Sequence, residues 1–160
     1  MTDAAFTRAL SHAATPETAF AALHDLARAR IGCRLITVMM VDTTQGLARR
    51  AFTSHPRDYP ASGTKPIHRN PWFETMERGE IFIAPRVTDH PDQFPDHALI
   101  ASLGCGSVAN LPVHSGGQLV GAVNLLDAED HFRADMADRI EDALALPSLA
   151  ALMVAGALDR

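Results

Sequence analysis

GCGSVANLPVHSGGQLVGAVNLLDAEDHF, residues 104–132, holds two apolar runs around a Ser-Gly-Gly turn, and each run carries one asparagine, Asn110 and Asn124. Gly116 and Gly117 suit a two-residue hairpin loop with positive φ at both centres. A regular hairpin around that loop pairs Ser115 with Gln118, Val113 with Val120 and Asn110 with Val123. Val108, Asn110, Pro112, Gly121, Val123 and Leu125 then share one face. Ala109, Leu111, Val113, Val120, Ala122 and Asn124 share the other. Both faces are mostly apolar, so something covers each side of the sheet. Asparagine is a poor strand former, and this register buries one amide per face. A buried amide needs hydrogen-bond partners or costs roughly 1–3 kcal/mol. Local backbone or a ligand could supply them, and both alternatives stay open at this point.

The flanking sequence supplies the remaining elements. Thr15-Pro16-Glu17 reads as a helix start, and Phe20, Leu23, Leu26 and Ala27 follow at helical spacing. CRLITVMMVD (33–42) and LARRAFTSH (47–55) read as antiparallel strands joined by a turn. Residues 56–71 contain four of the ten prolines and read as a loop. PWFETMERGE (71–80) fits a short helix, IFIA (81–84) a strand and HALIASLG (97–104) another short helix. The last helix begins near Arg133, with Pro147 expected to kink or restart it. Its tail is apolar around most of its circumference, so it packs on the sheet or on a second subunit.

Composition bounds the function. The chain has 160 residues, 47% apolar and 21% charged, with a net charge of -5, which fits one globular domain. No basic run exceeds Arg49-Arg50, which argues against a nucleic-acid partner. The N-terminus does not read as a signal peptide. The apolar run near the C-terminus is expected to fall short of a membrane span. Cys33 and Cys105 form no motif with each other, so a reduced, cytoplasmic setting is expected.

This order of elements resembles that of GAF domains. The segment from 103 to 132 is similar to the family pattern at Gly104, Ser107, Val108, Asn110, Pro112, Gly117, Val120, Gly121 and the terminal Phe132. The resemblance runs from about Thr15 to Ala157 and leaves room for only one domain in these residues. It implies an α+β fold: a six-stranded antiparallel sheet with helices on one face, and loops 55–80 and 84–106 closing over a pocket on the other. One asparagine should then look into the pocket and the other toward the helices, with Asn110 favoured for the pocket.

Candidate ligand-binding residues are Tyr59, Lys65, His68, Trp72, Ser107 and Asn110. Tyr59 and Trp72 sit in the proline-rich loop and combine an apolar ring with one polar handle. Lys65, His68 and Arg69 bring positive charge suited to a carboxylate or phosphate. Anchoring of the loop to the core is the competing explanation for Trp72. Cys105 lies between Gly104 and Gly106, where backbone amides could lower a thiol's pKa; a small buried hydrophobe is the alternative. As an enzyme, the chain would use Cys105 as nucleophile, His97 or His68 as base and Glu74 as general acid or base. The resemblance extends to free methionine-R-sulfoxide reductases, but those rely on several cysteines. Here the loop 55–80 has none, and Ala101 stands six residues before Ser107. The cyclic-nucleotide signature of some family members is absent as well. His90 and His97 stand near three aspartates, but no spacing matches a metal motif, and neither metal nor cofactor is invoked. A binding module that captures a small polar or anionic metabolite is therefore favoured over an enzyme. It would signal through a partner or through a homodimer of its terminal helices.

Overall fold

The computed structural model describes residues 1–160. Two helices open the chain, α1 (Asp3–Ser11) and α2 (Pro16–Arg30). Thr15 caps α2 by accepting from the Thr18 amide, while the Thr18 side chain returns to the Thr15 backbone; Pro16 fills the first helical position. Next come β1 (Leu35–Asp42), β2 (Leu47–Thr53), β3 (Lys65–Pro66), α3 (Pro71–Glu77), β4 (Phe82–Ala84) and α4 (His97–Ser102). The chain closes with β5 (Ser107–Ser115), β6 (Gln118–Asp127) and α5 (Ala137–Leu158). The six strands form one antiparallel sheet in the order β3-β2-β1-β6-β5-β4. The short β3 lies inside what the prolines mark as loop.

The β5–β6 hairpin turns at Gly116 and Gly117, whose φ values are 58° and 78°. Ser115 pairs with Gln118 as expected, but the register then slips between His114 and Val113. Val113 faces Gly121 instead of Val120, and Asn110 faces Asn124 instead of Val123. Val120 is the extra residue of a β-bulge, and one added residue moves every later side chain to the opposite face. Asn124 therefore does not point toward the helices; it shares a face with Asn110. The bulge lets Val120 pack on the helix side while Leu119 and Ala122 pack on the other.

The helix side is sealed. Ile36, Val38, Leu111, Val123 and Leu125 meet Phe20 and Leu23 of α2 and Ile140, Leu144 and Leu152 of α5 in one continuous core. Each such side chain contributes roughly 1.5–3 kcal/mol by leaving water. Gly121 permits the close approach of α5: a Cβ there would lie 2.4 Å from the Met39 carbonyl oxygen and 2.5 Å from Leu152 Cδ2.

Pro147 neither restarts nor ends α5, which runs unbroken across it. Proline leaves the carbonyl four residues earlier, at Ala143, without its amide partner. The Arg30 guanidinium donates to that oxygen at 2.9 Å and takes the amide's place. The expectation of a short apolar tail is corrected too. The helical run Ala134–Leu158 spans 25 residues, and its most apolar 18-residue window has mean hydropathy 1.5, enough by length and composition alone to cross a membrane. Its apolar character has a use in this fold, because Ile140, Leu144, Ala151, Leu152 and Ala155 are the buried roof of the core.

Candidate functional site

On the face away from α2 and α5, the sheet is covered incompletely. The hairpin's own period of two sends Val108, Asn110, Ala122, Asn124 and Leu126 to this side, and β1 sends Leu35, Thr37 and Met39. Two small apolar clusters seal the ends. One is built around Ile100, Cys105 and Val108, the other around Phe73, Met76 and Leu119. Between them lies a cavity of about 570 Å³, a size typical of small-molecule sites. Residues 59–73 and 92–100 form its walls, so both loops close over the sheet as expected.

The floor is a polar ladder across three strands. Asn110 on β5 is paired with Asn124 on β6, which is paired with Thr37 on β1. Trp72 Nε1 donates to Asn110 Oδ1 at 2.9 Å, Asn110 Nδ2 to Asn124 Oδ1 at 2.7 Å, and Asn124 Nδ2 to Thr37 Oγ1 at 3.1 Å. Asn110 and Thr37 are only 3% and 2% exposed, so these bonds meet the demand of buried polar groups. They also explain the asparagines in strands: the two amides serve each other. α3 delivers Trp72, with Asn70 capping the helix through Phe73 N and Pro71 in its first turn.

The two flaps meet at Tyr59. Its hydroxyl donates to Asp96 Oδ2 at 2.6 Å, while the Arg50 guanidinium lies 4.1 Å above its ring. Burial, then the bond to Asp96, holds this phenol neutral and pushes its pKa up to about 12. Lys65 and His68 line the cavity from the exposed side and take part in no ion pair. Arg49 touches the cavity as well, but its guanidinium reaches the other way to Asp159.

Tyr59, Lys65, His68, Trp72 and Asn110 thus line one cavity. Ser107 does not. It is fully buried on the helix side, where its hydroxyl donates to the Ala128 carbonyl at 2.7 Å and accepts from Phe132 N at 3.1 Å. It ties the end of β6 to the last helix. The proposed catalytic set does not assemble either, since Cys105, His97 and Glu74 all lie outside the cavity lining. Cys105 is 4% exposed within an apolar cluster, and burial and then Asp127 raise its pKa, the reverse of activation. Glu74 is exposed on α3, and His97 Nδ1 sits 3.0 Å from the Phe94 carbonyl oxygen as part of its own loop. His90 packs edge-on against Phe82 with ring centres 5.6 Å apart.

Thr37, Arg50, Phe94, Asp96 and Asn124 belong to the cavity and were not predicted for it. A lone threonine between Ile36 and Val38 was the available signal for Thr37. Asn124 was hidden by the bulge.

A six-stranded antiparallel sheet, sealed by helices on one side and by two loops over a cavity on the other, is joined by a direct sequence match: the family profile of the GAF domain matches residues 13–144. The chain belongs to the GAF domain family. Solved GAF structures share its fold at low identity. The GAF domain of a two-component sensor histidine kinase from Bacillus halodurans superposes with a TM-score of 0.68 at 12% identity, covering 92% of this chain and 100% of that one. The GAF domain of a phosphoenolpyruvate-protein phosphotransferase from Coxiella burnetii gives 0.68 at 16% identity, covering 98% and 92%. Free methionine-R-sulfoxide reductase from Neisseria meningitidis, solved with its substrate, gives 0.64 at 17% identity, covering 95% and 86%. No curated protein matches the sequence. GAF domains in general bind small molecules and serve in signalling.

Proposed function

We propose that this GAF domain is a cytoplasmic sensor or regulatory module that captures a small polar or anionic metabolite in the cavity over its asparagine ladder. The observation that carries the reading is the ladder itself, a row of side-chain amides buried at the base of a cavity of about 570 Å³. The row satisfies its own members, and Asn124, its least buried residue, lines the cavity and offers a polar contact there. Trp72 is the only tryptophan and donates into that row, so its fluorescence reports occupancy directly. Mass spectrometry of small molecules released from the purified protein should find a bound metabolite, and adding it back should change Trp72 emission. A protein that carries nothing, and whose emission no metabolite mixture changes, would end the proposal.

The enzyme alternative through Cys105 has the weaker support. Both cysteines are buried and free, and burial pushes Cys33 up to about 12 and Cys105 upward. Iodoacetamide at neutral pH should label neither thiol until denaturant is added. Rapid labelling of Cys105 in the folded protein would revive the thiol mechanism.

Signalling through a homodimer of terminal helices belongs to the same proposal. Leu146 and Met153 are 75% and 44% exposed, seven residues apart on α5. With half-buried Leu149 between them, they make a heptad-like apolar stripe. A second copy of the stripe is its proposed cover. Replacing both residues with glutamate should convert a dimer into a monomer in sedimentation velocity. A wild-type protein that sediments as a monomer at all concentrations would exclude this route.

A further inference from the structure

The cavity floor has a direction, and one residue sets it. An asparagine amide can be turned over, exchanging its oxygen and nitrogen, so its orientation follows from its partners. Trp72 Nε1 can only donate. Asn110 must therefore offer Oδ1 to it, 2.9 Å away, which turns Asn110 Nδ2 toward β6. Asn124 must then present Oδ1 to that nitrogen and Nδ2 to Thr37. Every hydrogen bond in the chain runs the same way.

The groups left over are mainly donors. Asn110 and Asn124 each keep one N–H, and the hydroxyl hydrogen of Thr37 finds no acceptor in the protein. Buried donors without partners are tolerated less readily than carbonyl oxygens with a spare lone pair. Asn124 is the least buried of the three and opens directly to the cavity. The surrounding charges limit the ligand further. Arg50 and Lys65 are balanced by Asp92 and Asp96 on the facing flap, with His68 at the rim. No arginine fork is buried at the floor, so a doubly charged phosphate would be left undercompensated. Beside the ladder the sheet is apolar at Val108 and Leu126, and the covering wall adds Phe94 and Ile100.

We propose that the Trp72-polarised ladder makes this cavity a site for small monocarboxylates with an apolar body, the carboxylate taking the free N–H of Asn124, the ladder's one member that is not buried. The inference rests on the proposed ligand-binding function and names its substrate class. Asn124 is the contact residue, and Trp72 acts through Asn110 as a positioning residue.

Calorimetric titration with matched compounds tests it: hydrocinnamate and isocaproate, their primary amides, their alcohols, the corresponding amines phenethylamine and isoamylamine, and phenyl phosphate. The carboxylates should bind at least about tenfold more tightly than the alcohols and amines, with the amides between. Equal or tighter binding of an amine, an alcohol or the phosphate ester would overturn the proposal. So would no binding of any member of the set. Neither result touches the broader function if a copurifying metabolite still binds and shifts Trp72 emission, whereas failure of both experiments removes the function too.

Two variants probe the polarity itself. Asn124→Asp replaces donors by acceptors in the same shape and should reverse the preference, favouring amines over carboxylates. Trp72→Phe keeps an aromatic ring but frees Asn110 to turn over, so the carboxylate-to-amine affinity ratio should fall about tenfold. A Trp72→Phe protein that weakens all ligands equally and keeps the ratio would show a purely structural tryptophan and overturn the assignment.

Discussion

The two faces of the sheet are made by the same strands, yet one is a closed core and the other a floor. On the helix side, 24 buried residues form one continuous cluster, from Phe6 in α1 to Ala155 in α5. On the loop side the apolar residues divide into clusters of 7 and 5, and the ladder Thr37–Asn124–Asn110 runs in the gap between them. Strand alternation permits this division of labour, because successive side chains point to opposite sides. One side then holds the fold together while the other is free to carry polar groups that weaken packing. Stability and recognition are thereby assigned to different halves of each strand.

Substitutions that respect or violate this division should separate the two roles. The largest effect is expected for Phe132→Ala on the helix side, where the ring is fully buried. Loss of about 3–5 kcal/mol in urea unfolding is expected, with ligand affinity of the folded protein unchanged. Reduced affinity at full folding would show that the faces are coupled. On the loop side, Asn110→Leu strands the Trp72 N–H and the Asn124 carbonyl. It should lower stability by about 1–3 kcal/mol and also abolish ligand binding, a joint loss that Phe132→Ala should not show.

The third prediction concerns alkaline pH. Cys33, in the helix-side core, has its pKa raised by burial from about 9 to about 12, and Tyr59, between the flaps, is raised from about 10 to about 12. In both, the folded state holds its proton longer than the unfolded chain, so stability is full below pH 9 and falls as pH climbs toward 12. Cys33→Ala should flatten the early part of that decline and Tyr59→Phe the later part, read as unfolding free energy against pH. A wild-type protein whose stability is constant from pH 9 to 11 would contradict both assignments. The smallest effect should come from Tyr59→Phe at neutral pH. Losing the bond to Asp96 should cost about 0.5–1.5 kcal/mol at most, while ligand dissociation quickens because the flaps are no longer latched. Stopped-flow Trp72 fluorescence would show it, and an unchanged dissociation rate would mean the flaps do not gate the cavity.

Much of this architecture was readable from residue order. Thr15-Pro16 marked the start of α2, the glycine pair marked the hairpin, and β-branched runs marked β1 and β5 within a few residues. The loop residues Tyr59, Lys65, His68 and Trp72 were placed at the cavity because proline-rich segments with aromatic and basic groups border such sites. Ser107 lies outside the cavity because the strand's period of two turns it to the side opposite Asn110, and Cys105, ahead of the strand, packs into an apolar cluster instead. Pro147 does not restart the helix, one of its two expected effects, because the carbonyl it orphans is served by Arg30, more than a hundred residues earlier in the chain.

By itself, the sequence determined the kind and order of the elements apart from the two-residue β3, the hairpin turn and the presence of two amides in apolar strands, since these follow from local backbone preference and period. Tertiary structure alone decided that the amides face each other. A bulge of one residue at Val120 reversed the sides of everything after it, and it exists because Val120 and Leu119 each find packing partners on opposite sides of the sheet. A contact between distant elements can shift register by one residue at little local cost, and no local pattern records that choice.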